Sequence, residues 1–416
     1  MKKYIFMDAY IGGIGGGQFY VNKKIELLQK DGWEVLIISG CTSPIILPNI
    51  KTAHLLLIPD IRCYLREIFK RKREKIINSI INEISDFKEA IIESNALSSA
   101  EWGELLACRL CCKHIIYSLS EINKIYSPFY YNFYNFKLQR REIAGIKQES
   151  LKKLFSDYRV LSDEESYFLL AYGSLDAVEY FVSDVENIER ADINIGIVAR
   201  IDKPFVDVAI NDVIDFANKN AKYKINLLIL GRQPGRHDGL SELIKNRVKK
   251  NASNIKLYIF EMMTPIPKSF YRKLDVVISS SGCASISASV GVPTIAMDSN
   301  DYKPIGILGY TTLQSIFREK QCECTTIELL EQILFQDFCK GKTCMIKRVF
   351  NSESEERYQK QVKFINASEQ KKEYFDLSHP HRKFFDLKCL IIRCFGIRLL
   401  RNLKAYLYLH EHSHLW

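Results

Sequence analysis

The sequence predicts an α/β protein built from two doubly wound, Rossmann-like domains facing a cleft. Three observations carry that expectation. Residues 3–39 read as strand, glycine-rich loop, helix, strand. The same alternation restarts at residue 193, after a polar stretch at 183–192. Residues 274–298 then form a strand, a turn of small hydroxyl residues, a helix, a Gly291-Val292-Pro293 stop and a second strand.

The totals fit this plan. A chain of 416 residues is long for one hydrophobic core and suits two domains of roughly 200 residues each. Hydrophobic content of 47% with 26% charged residues describes a folded chain, not a disordered one. The net charge of +10 favours an anionic partner, and nucleic acid, an anionic membrane and a phosphorylated small molecule all satisfy that. The charge is spread along the chain and no nucleic-acid-binding module accompanies it, so no nucleic acid is expected. Twelve cysteines scattered from Cys41 to Cys394 lack both a disulfide framework and zinc-ligand spacing, which suggests free thiols in a reducing cytosol. The apolar start after Met1-Lys2-Lys3 is interrupted by Asp8 and runs into glycines, so it reads as a first strand and not as a leader. No uncharged run reaches the roughly 18 residues of a membrane span.

Taken in order, the first domain occupies residues 1–185. Its glycine loop is Gly12-Gly13-Ile14-Gly15-Gly16-Gly17, where a side chain would block backbone approach to a ligand at the helix start. Further strands are expected at 52–57, 90–93 and 114–118, with helices at 61–84 and 99–113. The aromatic run 126–136 either packs into a core or forms an exposed wall. Helices are expected at 143–155 and 163–170, with short strands at 159–162 and 178–182. The second domain, 193–350, carries strands at 193–198, 227–230, 255–260, 276–279 and 294–297. Its loop 303–312 is punctuated by glycine. A polar helix and linker at 351–380 return toward the first domain. The tail, 381–416, is a basic amphipathic segment with Arg393, Arg398, Arg401 and Lys404 mainly on one helical face, suited to an anionic membrane surface. The run Lys70-Arg71-Lys72-Arg73-Glu74-Lys75 adds a second basic stretch.

The second half resembles a known family. Ile197-Val198-Ala199-Arg200-Ile201-Asp202-Lys203 resembles the strand and Gly-Arg-Leu segment of GT-B glycosyltransferases. The particular likeness is to the retaining family 4-like, or group 1, bacterial sugar transferases. Leu228-Ile229-Leu230-Gly231 is similar to that family's next strand and glycine. The passage from Pro267 through Asp275 to Ser279, the Gly291-Val292-Pro293 segment and the first-domain glycine loop follow in the family's order. So does Leu161-Ser162-Asp163-Glu164-Glu165, and the likeness extends to about residue 367. Two departures stand out. The family's Glu-x7-Glu positions fall on Ile278 and Ile286, and its first-domain histidine region reads Tyr117-Ser118-Leu119-Ser120-Glu121.

The resemblance implies hexosyl transfer from a nucleotide-sugar donor to a lipid-linked or saccharide acceptor in bacterial surface polysaccharide synthesis. Transfer would be retaining and metal-independent, with no cofactor beyond the nucleotide-sugar co-substrate. It also implies a cytoplasmic protein, peripheral on the inner face of the cytoplasmic membrane. Arg200 would offer a planar fork to phosphate oxygens and Lys203 a point charge. Glu121 would stand at a strand end as a candidate catalytic carboxylate. Donor contacts would come from Gly13, Gly15, Gly16, Gly17, Gly231, Ser280, Ser281, Gly282 and Ser285. A GT-B-fold nucleotide-sugar epimerase and a non-catalytic partner of such a transferase remain the alternatives.

Overall fold

The first strand, β1 (Lys2–Asp8), alternates cleanly between two cores. Tyr4 and Phe6 enter one and Ile5 and Met7 the other, as expected of a parallel sheet covered on both faces. In this computed structural model, residues 2–43, 45–84, 87–119, 124–125, 127–233, 237–320, 322–347, 350–368, 373–377 and 392–393 are described. The chain divides into two units, Met1–Gly173 with Glu353–Trp416, and Ser174–Ser352.

In the first unit, β1 is followed by α1 (Gly16–Lys30), β2 (Trp33–Ser39), α2 (Pro48–Thr52), β3 (His54–Leu57) and two 3-10 turns. Then come α3 (Lys70–Glu83), β4 (Glu89–Ser94), α4 (Leu97–Leu110), β5 (Lys113–Ser118), α5 (Pro128–Gln139), β6 (Ile143–Gly145) and α6 (Gln148–Phe155). The sheet order is β3-β2-β1-β4-β5-β6, with every pair parallel. The order reverses between β1 and β4, and crevices at such points are where open α/β sheets bind ligands.

A buried ion pair joins these elements. Lys24 of α1 and Glu93 of β4 are paired with side chains 1% and 0% exposed. Tyr4 and Tyr20 hydroxyls donate to Glu93 at 2.6 and 2.8 Å, and Lys24 Nζ donates to the same hydroxyls at 2.7 and 3.0 Å. Burial lowers the Lys24 pKa, against the opposing pull of Glu93. The last described helix, α13 (Phe350–Ala367), reaches this network through Gln361, whose Nε2 donates to Tyr20. Tyr358 of α13 donates to Asp31 at 2.6 Å, and Lys113 donates to the Ile365 carbonyl at 2.6 Å.

The second unit contains α7 (Ser183–Glu186), β7 (Ile193–Val198), α8 (Pro204–Lys219), β8 (Ile225–Arg232) and α9 (Asp238–Asn251). It continues with β9 (Ile255–Glu261), α10 (Lys268–Arg272), β10 (Val276–Ser279), α11 (Ser281–Ser289), β11 (Thr294–Met297), β12 (Pro304–Ile307) and α12 (Thr326–Phe335). Its sheet runs β12-β11-β10-β7-β8-β9, and only the β11–β12 pair is antiparallel. The order reverses between β7 and β10.

Several local expectations change. The aromatic run is core: Tyr130, Phe133 and Tyr134 of α5 are buried, and Phe129, Phe133 and Phe136 each meet the Phe375 ring. The helix expected over 143–155 is a three-residue strand and a shorter helix, because Ile143–Gly145 pairs with β5. Residues 159–170 form neither the expected strand nor the expected helix, and the strand expected at 178–182 reduces to a single bridge from Val178 to Pro267. The loop expected at 303–312 contains the edge strand β12.

The break between units lies at Gly173/Ser174, ahead of the expected 185–193. Ala177, Val185 and Ile188 are buried in the core of the second sheet, so this stretch belongs to the second unit. Tyr358, Phe364 and Ile365, on the helix expected to cross back to the first domain, are buried in the first unit's core. From the expected tail only Ile392 and Arg393 are described. Ile392 is buried in the first unit, and Arg393 donates to the Arg66 carbonyl at 2.5 Å. The remaining tail residues, including Arg398, Arg401 and Lys404, lie outside the described residues. Among the described residues no helix is long and apolar enough to cross a membrane.

Removing one member of a buried pair strands the other charge. Lys24→Met should therefore cost about 3–5 kcal/mol in urea unfolding, with Lys24→Met/Glu93→Gln recovering part of that loss.

Candidate functional site

In the second unit the site candidates collect where the strand order reverses. The chain leaving β7 carries Ala199, Arg200, Ile201, Asp202 and Lys203 before Pro204 opens α8. Arg200 is partly exposed, and its Nε lies 3.3 Å from Asp202 Oδ1. Lys203 stands close enough to α11 to act electrostatically on Cys283. Burial pushes that thiol up, and Lys203 opposes the shift. Thus the β7 loop that carries Arg200 and Lys203 and the start of α11 follow adjacent parallel strands, and Lys203 is near enough to act on Cys283.

At the other side of the reversal, β10 ends in Ser279 and α11 begins at Ser281. Ser281 adopts φ +62°, and its N–H donates to the Ser315 carbonyl at 2.5 Å. Ser280 Oγ donates to the same carbonyl at 3.3 Å. No side chain caps the helix, so the Gly282 and Cys283 N–H groups carry its N-terminal positive potential. A Cβ on Gly282 would meet nothing nearer than Ser174 Oγ at 3.8 Å, so ligand backbone contact is open there. Ser285 is turned inward, its hydroxyl donating to Ser281 O at 3.4 Å.

Two pairings were not singled out in the sequence. Asp202 also faces His237 Nε2 at 3.5 Å, while His237 Nδ1 accepts from the Gln233 N–H at 3.1 Å. That acceptor role places the neutral ring's proton on Nε2, toward Asp202. Asp298, 1% exposed at the end of β11, accepts from the Asn300 and Arg318 N–H groups at 2.7 and 2.8 Å. It thereby folds the 299–318 segment back so that Ser315 meets α11. Residues 202 and 237 are 35 positions apart (237 − 202), and no motif connects them.

Gly231 serves the scaffold. Its φ is +148°, and a Cβ there would lie 1.8 Å from the Ala199 carbonyl, so the glycine lets β8 close on the β7 loop.

In the first unit, Gly13 is buried with φ +75°, and its N–H is spent on the Ile45 carbonyl at 2.6 Å. Gly15, Gly16 and Gly17 differ. A Cβ on Gly15 or Gly16 would meet nothing within 4 Å, and Gly17 would meet only Leu119 at 3.3 Å. Gly16 and Gly17 open α1 without a side-chain cap. Glu121 lies outside the described residues. Asp8, at the end of β1, is buried, and burial raises its carboxyl to about 7 although the Tyr10 and Ala9 N–H groups oppose the shift. Among the described residues no group of three or more His, Cys, Asp or Glu side chains could hold a metal ion.

No family model matches the sequence, and no curated protein does. Solved structures do match. A glycosyltransferase from Rickettsia africae superposes with a TM-score of 0.60 at 13% identity, covering 88% of this chain and 97% of that one. HepE from Anabaena, in complex with UDP and glucose, gives 0.51 at 11% identity, covering 88% and 97%. WaaG, a glycosyltransferase involved in lipopolysaccharide biosynthesis, gives 0.51 at 11%, covering 88% and 100%. The fold is GT-B. At these identities the likeness is one of architecture, and both six-stranded sheets of the GT-B chain conform to it.

The Asp8 shift has a sign that can be tested. Its folded value lies above the usual 3.8, so the folded chain holds the proton more tightly than the unfolded chain. Stability from this group is full below about pH 4 and falls as pH rises toward 7. Asp8→Asn should remove that slope, so that its melting temperature gains on wild type progressively from pH 5 to pH 8.

Proposed function

We propose that this chain is a glycosyltransferase whose second unit binds a nucleotide-sugar donor. The observation that carries the reading is that the loop with Arg200 and Lys203 and the uncapped start of α11 follow adjacent parallel strands, with Lys203 acting on Cys283. A nucleoside diphosphate leaving group gathers negative charge as the glycosidic bond breaks. A guanidinium fork, an ammonium and helix N–H groups are the groups that stabilise it. The GT-B fold and its likeness to HepE with bound UDP and glucose support that ligand class.

The reading extends to retaining, metal-independent hexosyl transfer. Cationic side chains would do the charge neutralisation, and product anomer configuration by NMR decides the stereochemistry. The acceptor is read as a lipid-linked or other saccharide of a bacterial surface polysaccharide. WaaG's part in lipopolysaccharide biosynthesis favours that direction.

Peripheral membrane contact is read from the first unit. Phe69 is 54% exposed ahead of α3, and Lys70, Arg71 and Lys75 are exposed around it. The Arg393 guanidinium lies 5.5 Å from the Phe69 ring, and the sequence beyond it continues with Arg398, Arg401 and Lys404. Exposed cations beside an apolar side chain suit an anionic bilayer.

Three experiments test this. A thermal-shift screen across UDP- and GDP-sugars should show specific stabilisation, about 2.7 kcal/mol at a hundredfold excess over Kd. Arg200→Ala should lower nucleoside diphosphate release with membrane lipid acceptor about 100- to 1,000-fold. No stabilisation and no release from any donor would overturn the reading, and turnover of donor without acceptor would make the chain an epimerase. In co-sedimentation, vesicles containing phosphatidylglycerol should bind the protein and pure phosphatidylcholine should not. Lys70→Ala/Arg71→Ala/Lys75→Ala should weaken that binding by about 3 kcal/mol.

A further inference from the structure

Asp8 and Asn95 stand together where the strand order of the first unit reverses. β1 and β4 are in parallel register with Met7 opposite Ser94, and the Asn95 N–H donates to the Met7 carbonyl at 3.4 Å. Asp8 is therefore the last residue of β1, and Asn95 the first beyond β4, on neighbouring strands about 4.8 Å apart. Both continue the side of the sheet that faces α1. Tyr4 and Phe6 precede Asp8 on that side, and Ile91 and Glu93 precede Asn95. This side also carries the glycine loop, where Gly15 and Gly16 leave open space.

Asn95 is 6% exposed, and neither its carboxamide oxygen nor its nitrogen has a hydrogen-bond partner. Buried carboxamides are ordinarily satisfied, because a donor and an acceptor withdrawn from water without replacement are costly. Its neighbour is also an unfavourable burial. Asp8 is 9% exposed, and its carboxylate receives the Tyr10 N–H at a long 3.4 Å and a second backbone N–H from Ala9. The charged groups on this side do not relieve it. Glu93 faces Asp8 with like charge, and Lys24 is committed to Glu93 and to the hydroxyls of Tyr4 and Tyr20. An unpartnered buried carboxamide beside a carboxylate that burial disfavours is a binding site's signature.

We propose that Asp8 and Asn95 form a site for a vicinal diol of a sugar. The Asp8 carboxylate accepts from one hydroxyl, while the Asn95 carboxamide donates to and accepts from its neighbour. A carboxylate and a carboxamide on adjacent strands present acceptors and a donor side by side, the complement of two neighbouring hydroxyls. The identity of that sugar as an acceptor rests on the glycosyltransferase reading above. The diol chemistry does not, since a donor's sugar ring offers the same hydroxyl pair.

The test uses the full chain with Asp8→Asn, Asn95→Leu and the double variant. Saturation-transfer NMR is run with methyl glycosides of glucose, galactose, mannose and N-acetylglucosamine, and separately with UDP- and GDP-sugars. At least one sugar should receive saturation at its ring protons, and Asn95→Leu should weaken its binding on the order of 10- to 100-fold. Asn95→Leu should at the same time raise the melting temperature, which shows that the loss is not one of folding. UDP affinity should stay within about twofold. Saturation of free glycosides assigns the site to the acceptor, and saturation of nucleotide-linked sugars alone assigns it to the donor. Sugar binding that survives in both folded single variants overturns the proposal, as does absence of saturation from every sugar. Diol binding without nucleoside diphosphate release in the transfer assay would retain this site and reject the transferase reading.

Discussion

The first unit depends on a charge pair that no solvent reaches. Lys24 sits two turns into the helix that the glycine loop opens, and Glu93 sits two residues before Asn95 on the central strand β4. Either charge alone would be untenable in that core, so the helix can take only the position that brings the pair together. The glycine loop inherits its position from that constraint. Tyr20 extends the network to Gln361, so α13 is held by the same interaction that sets the loop.

The two units repeat one layout with different contents at the reversal point. In the second, a loop bearing two cations and an uncapped helix start follow adjacent strands, and Asp298 anchors the segment that meets α11. In the first, a carboxylate and a carboxamide take that place beside a helix opened by glycine. Cations suit phosphate, whereas a carboxylate and a carboxamide suit hydroxyls.

The alternation of strands and helices was legible because parallel strands covered on both faces read as short apolar runs, as in residues 227–230. The elements that were missed had weak periodicity. Ile143–Gly145 is too short to show a period of two, and Pro304 and Gly306 disguise β12 as a loop. Arg200 and Lys203 could be found from position alone, since they come directly after a buried strand. Asp202 with His237 and Asp298 with Arg318 could not, because only tertiary structure brings them together. The serines after β10 were legible as a turn, but which hydroxyls face outward depends on Ser315, far along the chain. Asn95 carried no signal, since an unsatisfied amide is a property of its surroundings.

The return of α13 to the first unit has a consequence for synthesis. Tyr358, Phe364 and Ile365 complete a core whose other members include Tyr4, Tyr20 and Tyr172. A ribosome delivers residues 174–352 before it delivers those three, so the second unit is covalently complete while the first still lacks part of its interior. The amino-terminal half of the chain is made first and finished last. Its nascent form exposes apolar surface for as long as the second unit takes to emerge, which makes it the segment for which chaperones have the longest opportunity.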